Sequence, residues 1–444
     1  MNALFKFLYF SSLLFIVFLA GAFLFFKKQD PLFSYLNKTF IAAVDSYERI
    51  ISQQENKIEN PRIVDREGFS ICQDFNEDLG SFKLVENKEG AYQGYTSVST
   101  ISLMSIFLVN IEGKCVYEWF VPLNDDRPIM KKMKELYLSN ELKVRKDYIY
   151  PNGDILVLFA LRNATPWGYV LLKLNKNSEI QWVYDGKAHH DLDVDEEGNI
   201  YVLTHEVVDH RQGYWQEVPY IEDYIVKLSP EGKELEKISI SKAFMNSKHI
   251  LVPLKLMDSS EHSTYEIRDY FHNNTVDLIT EEIANLHDFL EKGDILLSMR
   301  TIDLIAVLRP SQEKIVWVKT GDWRAQHSPE FLPNGNLLIF DNKGNLSVDA
   351  SSSRILQVNP INNKLEWYYD GYPDNMFYTD SRGSVTMLNN GNFLITSSED
   401  KKLIEVNEDK EILWDLRFVE GDKNINYFIK AERFGIGELK FLED

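Results

Sequence analysis

Positive charge is scarce in this chain: 48 Lys and Arg stand against 68 Asp and Glu, a net charge of −20 over 444 residues. Such a surface repels polyanions, which argues against nucleic acid as a partner and makes any anion site a local exception. Cysteine is nearly absent, with only Cys72 and Cys115. The pair is compatible with one disulfide in an oxidising compartment or with two buried thiols. Charge is missing altogether from Phe7 to Phe26, a run long enough to cross a bilayer as a helix. No small-x-small cleavage site precedes Lys27-Lys28, so residues 1–28 read as an uncleaved transmembrane signal anchor. Residues 29–67, with Leu36, Phe40, Ile41, Val44 and Ile50 among polar residues, read as a short helical stalk. The globular part is expected on the extracytoplasmic, periplasmic side of the membrane.

Sheet sequence is what the remainder has in quantity. From about residue 68, short aromatic and β-branched runs alternate with turn chemistry, as in Gly153 to Leu158 and Gly391 to Ile395. An inner hairpin signature recurs at Pro151 to Asp154, Glu197 to Asn199, Lys292 to Asp294, Pro333 to Asn336 and Asn389 to Asn392. An outer hairpin follows each and tends to end in Trp: Asn175 to Trp182, Pro310 to Trp317, Asn359 to Trp367 and Asn407 to Trp414. The copy from Ser229 to Lys237 has lost its Trp, and Asn110 to Trp119 opens the series without a clear inner hairpin. Six units of this kind predict an all-β chain whose residues 68–444 form a six-bladed β-propeller, closed by strands from the two ends of the domain. Residues 241–282 break the period and read as an insertion over one end of the channel, and 121–140 as a second one.

The candidate chemistry lies in the register of those hairpins. His190 precedes Gly198 by eight residues, and His327 precedes Gly335 by eight. With two-residue turns, His190 pairs with His205 and His327 with Asn342. In the hairpin turning at Lys292-Gly293, the same rung holds Asn285 and Arg300, with His287 two residues further along the same face. Arg145, eight residues before Gly153, shares the register. Innermost strands line a propeller channel, so these side chains form a ring suited to an oxyanion, with imidazoles able to act as nucleophile, acid or base. A zinc set of His189, His190 and His205 lacks convergence and any Cys. The alternation Asp191, Asp193, Asp195 lacks the Glu of a calcium loop at its twelfth position, which is Val202. No metal is expected.

Three segments carry a resemblance: His189-His190-Asp191, the stretch from His287 through Ser298-Met299-Arg300, and Gln326-His327 through Asp341-Asn342. With the repeats around them, over most of residues 90–417, the chain resembles the arylsulfotransferases, arylsulfate-dependent sulfotransferases of bacteria. The resemblance implies transfer of a sulfuryl group from an aryl sulfate donor to a phenolic acceptor, with no cofactor. It implies His327 as the nucleophile that becomes sulfohistidine, surrounded by the catalytic His190, His287 and Arg300. Asn342, His205 and Arg145 are the expected substrate-binding residues. The alternative is a non-catalytic, membrane-anchored propeller that binds an anionic or sulfated ligand or serves as an envelope scaffold.

Overall fold

The computed structural model of the chain describes residue 72 and residues 81–100, 104–139, 141–162, 167–208, 219–259, 269–344, 352–419 and 428–443. The expected anchor and stalk, residues 1–28 and 29–67, lie outside the described residues. Among the described ones no helix is long and apolar enough to cross a membrane.

The alternating hairpins fold as antiparallel meanders, giving a propeller-like arrangement of five sheets. Four stand separately. One runs through Asn273–Leu278, Ile295–Met299, Leu304–Arg309 and Lys314–Lys319; a second through His327–Phe331, Leu337–Asp341, Arg354–Val358 and Leu365–Tyr369. A third runs through Ser384–Met387, Phe393–Ser397, Lys402–Val406 and Ile412–Val419, with Ser81–Asn87 added outside. In the fourth, Phe428–Gly435 supplies the strand beside Gly94–Thr100, followed by Ser105–Asn110 and Cys115–Phe120. Strands from the two ends of the domain thus pair twice, which leaves no open seam between the first and last repeats.

The fifth sheet has seven strands, from Leu142–Ile149 to Glu234–Ser239. Its fifteen-residue strand Ile180–Val194 pairs first with Gly168–Leu174 and then with Ile200–Val208. The six separate blades expected from the sequence are therefore found as four blades and one continuous sheet, because this strand never leaves the ladder.

Apolar side chains gather in clusters between successive sheets, and one cluster, with Leu156, Leu171, Val202 and Val226, lies between the two halves of the seven-stranded sheet. The recurrent Trp residues lock these interfaces. Trp119, Trp182, Trp367 and Trp414 donate their indole N–H to the carbonyls of Gly153, Pro230, Glu408 and Ile111, all in turns of the neighbouring repeat. A buried indole needs such an acceptor, which is why a bulky aromatic recurs at a turn-facing position. Cys72 and Cys115 form a disulfide, fastening the chain before the first strand to Cys115–Phe120.

The expected insertion at 241–282 is corrected in part. Residues 240–259 do form two short helices, Ile240–Met245 and Leu251–Ser259, but the end of the supposed insertion, Asn273–Leu278, is the inner strand of a blade. The stretch 121–140 contains the helix Pro128–Leu138, whose Met130 and Met133 are buried against the first repeats.

Candidate functional site

A two-residue turn would have carried regular pairing up each inner hairpin, but the ladders slip before they reach the channel mouth. Register shifts fall between Val144 and Lys146, His189 and Leu192, Asn273 and Val276, and His327 and Glu330. His190, His272 and Ser328 sit at or beside these slips with φ of 55°, 51° and 49°. Left-handed backbone at a non-glycine residue costs ~1–3 kcal/mol and is held only where surrounding structure over-determines it. A bulge at the head of an inner strand re-aims side chains that regular alternation would send into the blade. Here the re-aimed side chains meet at a cavity of about 40 Å³, lined among others by Arg145, Lys146, His190, His327, Arg382 and Lys430. At ~10–15 Å³ of such volume per water, this space matches a compact anion of a few oxygens.

His327 is 6% exposed, and two carbonyl acceptors at Nδ1, the Ala325 backbone oxygen at 3.1 Å and the Asn342 side chain, settle its tautomer. Asn342 donates its side-chain amide to the carbonyls of Thr379 and Arg382, so its Oδ1 faces His327 Nδ1 at 2.8 Å. A carbonyl oxygen only accepts, so Nδ1 carries the proton and Nε2 keeps a lone pair. Nε2 is buried with no hydrogen-bond partner. Burial first, then the Arg300 and Arg145 charges, push this imidazole well below the usual histidine range, so it stays neutral. Burial and the neighbouring guanidinium of Arg382 push Arg145 down to about 9. Arg300 has a buried Nε without a partner and a 3.5 Å contact from Nη2 to the Asp380 carbonyl. Around the cavity Arg145, Lys146, Arg382 and Lys430 outnumber the one lining carboxylate, Asp191, so in a chain carrying a net −20 this is a local concentration of cations.

On the other side of the pocket, His190 Nδ1 accepts from the Trp167 indole N–H at 3.3 Å and lies 2.8 Å from His189 Nδ1. Trp167 is edge-on to His190 at 5.7 Å between ring centres and tilted over His272 at 4.8 Å. His272 bonds through Nδ1 to Asp269 Oδ2 at 2.6 Å. Burial, followed by Arg145, His272, His189 and His327, holds His190 well below the usual histidine range.

The predicted site residues divide into three groups. His190, His327 and Arg145 line the cavity, and Arg300 and Asn342 support it from behind. His205 stands away: its Nε2 accepts from the Gly168 amide at 3.0 Å, and its ring stacks on His189 at 4.6 Å. His287 is a correction. Its Nε2 bonds to the Gly335 carbonyl at 2.7 Å and its ring stacks on Phe289 at 5.0 Å, packed at a hairpin turn rather than at the cavity. The reason is the misplaced inner strand: Asn285 does not stand opposite Arg300 in a ladder, Asn273 pairs with Met299, and residues 279–294 form a long connection containing the helix Glu281–Ala284. The pairing expected for the other hairpins is also corrected, since His189 opposes Leu203 and His327 opposes Phe340.

Sequence reasoning missed His272, Trp167, Lys146, Arg382 and Lys430. For Arg382 a signal existed: the eight-residue offset from Gly391 lands on Gly383, its neighbour. His272-Asn273-Asn274 likewise copies the polar cluster of His189-His190-Asp191 ahead of an inner strand. Lys430 gave none, because its strand pairs with a partner more than three hundred residues earlier.

The alternating acids bind neighbouring inner strands rather than calcium. Asp191 and Asp193 accept from the amides of Val276 and Leu278, and Glu330 accepts from the Met387 amide and the Thr386 hydroxyl. Each satisfies edge amides of the next sheet. Loss of water pushes Asp193 up to about 6 and Glu330 up to about 7. Among the described residues, ligand atoms of His189, His205 and Asp223 lie within 4.8 Å of one another. They fit a metal ion poorly: His205 Nε2 already accepts from an amide, so its Nδ1 holds the proton and offers no lone pair.

Curated protein sequences include no match to the chain. Solved structures similar to it include a protein of unknown function from Bacteroides caccae, 11% identical with a TM-score of 0.47, covering 77% of this chain and 99% of that one. A catalytically inactive virginiamycin B lyase from Staphylococcus aureus is 11% identical with a TM-score of 0.40, covering 79% of this chain and all of its own. The family model described as arylsulfotransferase (ASST) matches residues 147–419, which include every cavity residue named above except Arg145, Lys146 and Lys430. The chain belongs to the arylsulfotransferase family.

Proposed function

We propose that the protein transfers a sulfuryl group from an aryl sulfate ester to a phenolic acceptor through a covalent intermediate on His327. The observation that carries this reading is the orphaned, lone-pair-bearing Nε2 of a buried neutral imidazole beside the Arg300 and Arg145 guanidinium groups. Nε2 attacks sulfur as the S–O bond to the aryl oxygen breaks, and the phenoxide leaves with that electron pair. The ring gains positive charge, which the Asn342 carbonyl stabilises through Nδ1–H. Arg145, in the cavity wall, holds the sulfuryl oxygens, and the Arg300 charge beside His327 helps to match the charge they carry throughout. His190 exchanges the phenolic proton, and Trp167 offers an aromatic wall for the aryl ring. A second phenol then attacks the sulfohistidine, restoring His327. We read the seven-stranded sheet as two blades sharing one strand, so that six blades surround the channel. The disulfide accords with an extracytoplasmic location.

The test is incubation of the protein with a chromogenic aryl sulfate, with and without added phenol. Phenol-stimulated turnover supports the reading. Saturable binding of the ester without turnover, for any acceptor, would replace it with a ligand-binding propeller.

A further inference from the structure

A neutral imidazole is a poor acid, and His190 is held neutral. It can protonate a departing phenoxide only if a second proton reaches its other nitrogen at the same time, and the residues behind it supply that route. Indole N–H is a donor only, so the Trp167 contact makes His190 Nδ1 an acceptor and places the His190 proton on Nε2. The 2.8 Å contact with His189 Nδ1 then requires His189 to donate. His189 Nε2 lies 3.3 Å from Asp223 Oδ1, an attraction only if that nitrogen is protonated as well. Both contacts are favourable together only with His189 as the imidazolium and Asp223 as the carboxylate, and both side chains are within 3% of full burial. Asp223 is held further by the Asn273 backbone amide at 3.2 Å and side-chain amide at 2.7 Å, both on Oδ2.

We propose that Asp223, His189 and His190 form a proton relay that ends at the sulfuryl pocket, an inference that rests on the sulfotransfer reading given above. As the aryl oxygen departs, His190 Nε2–H passes to it and the His189 Nδ1 proton moves to His190 Nδ1. The phenoxide becomes phenol, His190 remains neutral in its other tautomer, and His189 becomes neutral while keeping Nε2–H on Asp223. Total charge is unchanged. When the acceptor phenol attacks, its proton enters at His190 Nε2 and the relay runs back, so each two-step cycle resets it. Burial alone would push the Asp223 carboxyl up; the hydrogen bond and charge of His189 outweigh it and hold the carboxyl below its ordinary range. Other charged or titratable groups facing the relay are Arg145, His272 and His327 around His190, and His205 and Lys187 beside His189 and Asp223. Asp223 and His189 are positioning residues, since neither reaches the cavity.

Two measurements separate the relay from a structural role. In the wild-type protein at neutral pH, ¹⁵N spectra of labelled histidines should show His189 protonated on both nitrogens and His190 on Nε2 alone. A proton on His190 Nδ1 in the resting state, or retention of stoichiometric zinc through dialysis, would overturn the proposal whether or not the protein proves to be a sulfotransferase. For catalysis, Asp223→Asn and His189→Gln should lower turnover of an unactivated phenyl sulfate by about a hundredfold, the scale of general acid catalysis. An activated nitrophenyl sulfate, whose phenoxide leaves without a proton, should lose less than about fivefold. Equal loss on both esters would show that the two residues only maintain structure. Absence of turnover by the wild type on either ester would fail the sulfotransfer reading while leaving the nitrogen spectra to judge the relay.

Discussion

At the scale of residues, the site turns on which nitrogen of His327 bears its proton, and the Asn342 and Ala325 carbonyls decide that. Asn342→Ala removes the shorter of the two acceptors at Nδ1, leaving the Ala325 carbonyl at 3.1 Å, and should lower turnover of an aryl sulfate by less than the ~10⁴-fold seen when a catalytic imidazole takes the wrong tautomer. His327→Ala should remove turnover. Arg300→Lys should keep the fold, readable by circular dichroism, but cost ~2–3 kcal/mol of transition-state stabilisation in kcat/KM, since a single ammonium cannot replace a preorganised guanidinium fork. The neutral state of His327 also sets a pH dependence. Its pKa in the fold lies well below the usual value of about 6.5, so the nucleophile is not lost by protonation between pH 7 and 6. Single-turnover rates with an activated ester should therefore be flat across that interval; a tenfold fall would contradict the environment described for this ring.

At the scale of elements, inner strands are joined by carboxylates that accept from amides of the next sheet, and this too depends on pH. Glu330 in the fold titrates at about 7, against about 4.3 in an unfolded chain. A raised folded pKa means that the fold binds a proton the unfolded chain has released, so this group's contribution to stability declines as pH rises from about 4.5 through 7. Glu330→Gln keeps an oxygen for the Met387 amide and removes the titration. Relative to wild type, its urea midpoint should gain as pH is raised from 5 to 8; a constant difference would show that the carboxyl is ionised throughout. The same elements explain what could be read from sequence. Turn glycines and terminal Trp residues repeat because the repeats share the same hairpins and four of them the same indole bond to a neighbouring turn, so the outer hairpins were legible from Cys115–Phe120 to Ile412–Val419. The His327–Asn342 contact was legible as well, although the pairing behind it was not. Bulges shift the ladder without altering composition, and a long connection before Gly293 moved the inner strand back to Asn273–Leu278, exchanging His287 for His272. Two-fold periodicity carries no mark of either event.

At the scale of the whole molecule, the propeller-like fold is fastened by its two ends and by the disulfide. The Cys72–Cys115 bond encloses 43 residues of sequence separation, for which loop-closure entropy gives about 4 kcal/mol. Cys115→Ser should lower the unfolding free energy by up to that amount in denaturant titration, and reductant should do the same to the wild type. The fold brings strands from opposite ends of the described domain together, where Arg145, His190, His327 and Lys430 share one cavity. The central claim, that this cavity exists to carry a sulfuryl group on His327, is tested most directly by trapping. The protein is mixed with an aryl sulfate in the absence of acceptor, quenched at alkaline pH, digested and examined by mass spectrometry. The account expects the peptide containing His327 to gain the mass of one sulfuryl group, and to lose it when phenol is added before the quench. Release of the chromogenic phenol with no adduct on that peptide, or an adduct on another residue that survives in His327→Ala, would contradict it.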